Sequence, residues 1–120
     1  MMIEKFYKLF SELGELCFKI KMVERPARPY DFKNRENEVV NSYYNEVMDK
    51  YPKTIMGFYM AIGRNDSSIS CYLQDNGEVV VDFYDMDHNF EKSILFKSIR
   101  NVSDNKIGII HFLTRESKFF

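Results

Sequence analysis

The sequence predicts an α+β fold, with two N-terminal helices followed by an antiparallel meander sheet of four or five strands. Three observations carry this expectation. Apolar residues within 2–20 recur at helical spacing, and from Thr54 onward the apolar period drops to two. In addition, Asn76-Gly77 separates two alternating runs, which is the strongest short-range signal for a β-hairpin.

In the first segment Phe6, Leu9, Phe10, Leu13, Leu16, Cys17 and Ile20 form one stripe. Glu4, Lys8, Glu12, Glu15 and Lys19 lie opposite, so a helix through about residue 20 is expected. Gly14 weakens that helix, and Phe18, Ile20 and Met22 alternate with Lys19 and Lys21. A short strand after Gly14 is therefore the competing reading. Pro26 and Pro29 make residues 23–32 a connector, pinned by Tyr30 and Phe32. A second helix follows from about Asn34 to Lys50, with Asn34 as its N-cap and Glu36 in its first turn. Val40, Tyr43, Tyr44 and Val47 supply its apolar face, and Pro52 stops it.

The strands come next. Met56, Phe58, Met60 and Ile62 share one face of TIMGFYMAI, whose other face is also largely apolar, as in a central strand. Ile69, Cys71 and Leu73 alternate through SISCYLQ, and Val79, Val81 and Phe83 through EVVVDFY. The Asn76-Gly77 pair between them predicts a type I′ turn, with positive φ at both residues. Residues 90–100 read as a strand more readily than as a helix. KIGIIHFLT is expected as the last strand, with Ile107, Ile109, His111 and Leu113 on one face and a loosely docked tail.

A chain of 120 residues fits one domain, 1–120, and buries roughly two-thirds of its unfolded surface. Eleven Phe, eight Tyr and seven Met supply the core, and 45% apolar with 29% charged residues excludes disorder. A net charge of −1 gives no global field for nucleic acid or anionic membrane. Nothing approaches the roughly 18 apolar residues of a membrane span, and the N-terminus lacks a signal-peptide pattern. Cys17 and Cys71 sit among apolar neighbours, so two buried free thiols in a reducing cytoplasm are expected.

Candidate sites concentrate in EVVVDFYDMDHNFE, residues 78–91. Asp85-x-Asp87-x-Asn89 begins like an EF-hand loop, but Phe90 stands at the sixth position and Phe96 at the twelfth. A calcium loop needs Gly and Glu there, so no metal is expected. The two histidines, His88 and His111, lie in unlike settings, and no nucleophile motif or phosphate loop occurs. No catalytic residue and no cofactor are therefore assigned. A basic connector, residues 19–35 with a net charge of +4, keeps a small nucleic-acid or regulatory module as the alternative.

Charge distribution points elsewhere. Residues 65–91 hold seven carboxylates and no Lys or Arg, while residues 92–120 carry a net +4. Like charges crowded on one hairpin repel, whereas an acidic face steers basic partners. A small, aromatic-rich α+β chain with an acidic hairpin resembles the immunity proteins of bacterial polymorphic toxin systems, including contact-dependent growth inhibition. That resemblance, in size, composition and layout, implies a non-enzymatic inhibitor that binds a cognate toxin domain, commonly a basic nuclease. Asp82, Asp85, Asp87 and Glu91 would then mimic phosphates toward toxin Lys or Arg, with Tyr84 as an aromatic anchor.

Overall fold

Phe6, Leu9, Leu13 and Cys17 follow at three- and four-residue steps, and as a helix they align on one side. The computed structural model describes residues 2–20, 30–31, 46–61 and 66–115. Met2–Ile20 is a continuous helix, α1, whose Phe6, Leu9, Leu13 and Cys17 are buried. The competing strand after Gly14 is not formed. Tyr30–Asp31 is a two-residue strand, β1, and residues 46–50 are helical, α2. The expected start of the second helix near Asn34 lies outside the described residues, as do most of the basic connector and the tail.

Four longer strands follow: β2 Thr54–Ala61, β3 Ser68–Gln74, β4 Val79–Tyr84 and β5 Phe90–Phe96. They form an antiparallel meander, and β1 adds to the outer edge of β2 by pairing Tyr30 with Gly57 and Asp31 with Met56. Every residue of β3 is buried, as expected of a central strand. Period-two alternation sends Met56, Phe58, Met60, Ile69, Cys71, Leu73, Val79, Val81 and Phe83 into one core with α1. Phe58 stands between Phe6 and Phe10, at 5.2 and 5.1 Å between ring centroids.

The β3–β4 hairpin forms where Asn76-Gly77 places it, but its turn differs from the type I′ expectation. Only Gly77 has positive φ, at 91°, and its N–H bonds the Gln74 carbonyl at 3.0 Å. Gln74 N–H bonds the Glu78 carbonyl at 2.8 Å, so a three-residue loop ends in a glycine bulge. Asn76 instead spends its side chain locally: its Oδ1 accepts from Glu78 N–H at 3.0 Å.

The larger correction concerns KIGIIHFLT. Residues Ile99–Asp104 and Lys106–Thr114 are helices, α3 and α4, not a last strand. Ile109, Ile110 and Leu113 are buried together, a grouping that a strand would divide between its faces, while Ile107 and His111 are exposed. Ser98 starts the helical pair by accepting from Asn101 N–H at 3.2 Å. Val102, Ile109 and Leu113 join the α1 core, Phe112 packs edge-on against Phe83 at 4.8 Å, and Ser103 donates to Glu12 at 3.0 Å. Helices α1, α3 and α4 therefore cover the same apolar face of the sheet. No helix among the described residues is long and apolar enough to cross a membrane.

Two expected outcomes follow from this packing. Gly14 lies in α1 with nothing within 4 Å of an added Cβ, so Gly14→Ala raises stability by about 0.5–1 kcal/mol in urea denaturation. A loss of stability there contradicts the open space. The free thiols are both buried; burial pushes Cys17 from 9.0 up to about 11 and also raises Cys71. The folded chain thus holds the Cys17 proton where the unfolded chain releases it, so stability is intact below pH 9 and falls as pH climbs from 9 to 11. Both thiols should resist an aromatic disulfide reagent at pH 8 and react on denaturation; fast reaction in the native protein rules out this burial.

Candidate functional site

Along β4 the side chains alternate, so Val80, Asp82 and Tyr84 face away from the α1 core. On that far side Val47 of α2, Tyr72 and Val80 form a second apolar cluster, joined by Met48 and Tyr51. Tyr51 and Tyr72 rings meet at 5.5 Å. Asp82 sits beside this cluster with 1% of its surface exposed. An ion that deep needs compensating donors.

Three side chains provide them. Tyr51 donates its hydroxyl to Asp82 Oδ1 at 2.7 Å, and Ser93 of β5 donates to the same oxygen at 2.6 Å. Lys50 Nζ reaches Oδ2 at 3.1 Å. Register explains Ser93, which is the cross-strand partner of Asp82. Lys50 also lies over the Phe90 ring at 4.5 Å and the Tyr51 ring at 5.3 Å. Desolvation pulls the Lys50 pKa down, but the hydrogen bond and charge of Asp82 outweigh it and raise the value above 10.5. Burial raises Tyr51 as well, so its hydroxyl stays a donor at neutral pH. Around this network opens a recess of about 310 Å³, lined among others by Tyr51, Tyr72, Tyr84, Asp82, Glu46 and Lys50.

The other expected contact residues occupy different settings. Asp85 Oδ1 accepts from Asp87 N–H and Asn89 N–H, each at 2.9 Å. Those backbone bonds, the one from Asn89 first, hold its carboxyl below the usual range. Its lone pairs thus face its own loop, where His88 adopts φ 65°. Asp87 is exposed at the loop tip. Tyr84 is half-buried, edge-on to Phe90 at 6.1 Å. Glu91 forms a fork with Arg115 beyond α4, at 3.0 and 2.5 Å, while Arg115 Nε donates to Ser67 at 3.0 Å.

The acidic segment is therefore not one continuous face. Asp75 and Glu78 flank the β3–β4 turn, Asp85 and Asp87 lie at the opposite end of β4, and Asp66 and Asp82 are buried. Asp82 is a correction to its expected exposure: alternation turned it toward the α2 cluster rather than to open water. His111, read as a residue of an apolar strand, is exposed on α4.

Glu46, Lys50, Tyr51 and Ser93 were missed. The available signal was Asp82 itself, a lone carboxylate inside a valine-rich strand, and Ser93 as a small polar residue in FEKSILF. Lys50 and Tyr51 needed the tertiary fold to bring them near.

Tyr51→Phe removes one donor from a buried carboxylate and should cost about 1–3 kcal/mol of unfolding free energy. An unchanged denaturation midpoint shows that the hydroxyl does not support Asp82. Comparison of the chain with protein-family models, curated proteins and solved structures gave no match.

Proposed function

We propose that this chain is a non-enzymatic binding protein that docks a partner protein on its β4–β5 hairpin. In its specific form it is a cytoplasmic immunity protein that neutralises a cognate bacterial toxin domain with a basic surface. One observation carries the binding reading. The outermost strand β5 is exposed from Phe90 through Leu95, with Phe90 at 53%, Ile94 at 37% and Leu95 at 60%. Met86 adds 40% exposure in the loop before it, next to Asp87. A strand edge unpaired among the described residues, with apolar anchors and an acidic tip, suits β-strand addition or groove docking by a basic partner. The likeness to immunity proteins in size, composition and layout supports the specific form.

Within this reading the five expected residues divide their work. Asp87 steers, and Tyr84 anchors beside Phe90. Asp85 shapes the loop, Glu91 ties β5 to the end of α4, and Asp82 holds the strand from behind. Three donors on Asp82 suit an anchor better than a general base.

The test is co-expression with the C-terminal domain encoded by the adjacent reading frame. Survival only in the presence of this protein supports the toxin partner; death with or without it removes that partner. With the complex in hand, Asp87→Lys should slow association about tenfold at low salt, with the difference shrinking as salt rises. Leu95→Ala should instead speed dissociation about fivefold, the scale of a loss of about 1 kcal/mol. Unchanged rates for both variants place the interface elsewhere.

A further inference from the structure

The recess behind the β4–β5 hairpin combines features that together select a ligand. Its lining includes a carboxylate with 1% exposure, three tyrosines and the exposed Glu46. Lys50 is the single cation among these residues, so Asp82 and Glu46 leave the lining with one net negative charge. Anions such as phosphates are thereby disfavoured. A purely apolar ligand would strip water from these charged groups without replacing its bonds.

Lys50 shows which chemistry the recess accepts. Its ammonium lies 3.1 Å from Asp82 and within 4.5 and 5.3 Å of the Phe90 and Tyr51 ring centres. Carboxylate and ring faces around one ammonium make a cation cage. Lys50 is nonetheless half exposed, on a flexible four-carbon stem, so its head can swing to water and open the cage.

We propose that the recess receives the ammonium of a lysine side chain from the protein partner, which joins or replaces Lys50 over Asp82. This rests on the partner-binding reading above and names the anchor of that interaction. Charge complementarity selects the occupant: the incoming lysine neutralises the remaining negative charge, and its alkyl stem lies along Tyr51 and Tyr84.

The probe is n-butylammonium chloride, the cationic end of lysine, applied to the full chain with n-butanol and sodium chloride as controls. Lys50→Met leaves Asp82 without its cation, so butylammonium should raise the melting temperature of this variant more than that of the parent, and neither control should. In the parent protein, backbone amide shifts at Tyr51, Tyr84 and Ser93 should move with butylammonium. Glu46→Gln, on an exposed position that does not threaten folding, should weaken that response about threefold. Equal shifts for butylammonium and n-butanol, or no response in any variant, overturn the cage.

The co-expression assay separates the two readings. Full protection by Glu46→Lys, which sets a second cation at the recess and should repel an incoming lysine, alongside butylammonium binding by the parent chain, assigns the recess to a free amine and overturns the partner lysine. Protection by the parent chain with no butylammonium response sinks this inference and leaves the toxin reading standing. Cell death in every co-expression, with butylammonium binding intact, removes the toxin partner and its lysine together.

Discussion

A carboxylate buried in the middle of a strand must be surrounded by donors, and Asp82 draws three of them from two distant parts of the chain. Tyr51 comes from the segment after α2, Lys50 from α2 itself and Ser93 from β5. An uncompensated charge at that depth costs several kcal/mol, so any arrangement that lets α2 drift or slips β5 by one residue is penalised. A one-residue slip would bring Lys92 or Ile94 opposite Asp82 and turn Ser93 to the other face. Packing of apolar residues sets the sheet against α1; this polar network sets what lies on the other side.

The edge strand lives with a tension. β5 leaves large apolar side chains in water, a condition that soluble proteins usually blunt with charge or twist. Lys92 provides some of that protection on the core side, where its ammonium lies over Phe83 at 5.1 Å and Phe112 at 5.9 Å. The register shift between Phe83 and Tyr84 bends the strand near Glu91, and Arg115 stacks on Phe112 at 4.3 Å while holding Glu91. The inner side of β5 is thus buttressed, while no described strand pairs with its outer rim.

Much of this layout was legible in the residues. The spacing of Phe6, Leu9, Leu13 and Cys17, and the Asn-Gly pair between alternating runs, are local signals that tertiary context reinforced. KIGIIHFLT was misread because a short apolar run fits both periods, and the decision lay in which residues a distant partner needed: Phe83 and α1 required Ile109, Phe112 and Leu113 on one side. Ser98 was the overlooked local clue, a helix cap just before the ambiguous run. The candidate site was half visible. Asp82 and Tyr84 stood out by composition, but strand alternation, not charge density, decided that Asp82 faces inward. No count along the chain could place Lys50 and Tyr51, some thirty residues earlier, against it.

The plain meander has a consequence for how the chain assembles. Consecutive strands from β2 to β5 are neighbours, so each pairing closes a short loop and carries little entropic cost. The two coverings of the core face come instead from opposite ends of the sequence, α1 at the start and α3 with α4 at the finish. During vectorial synthesis the hairpins can zip while Phe83, Val79 and Val81 still lack Phe112, Val102 and Leu113. Closure of the interior therefore waits for α4 to emerge, and the interval before it is when the nascent sheet most needs shielding from its neighbours.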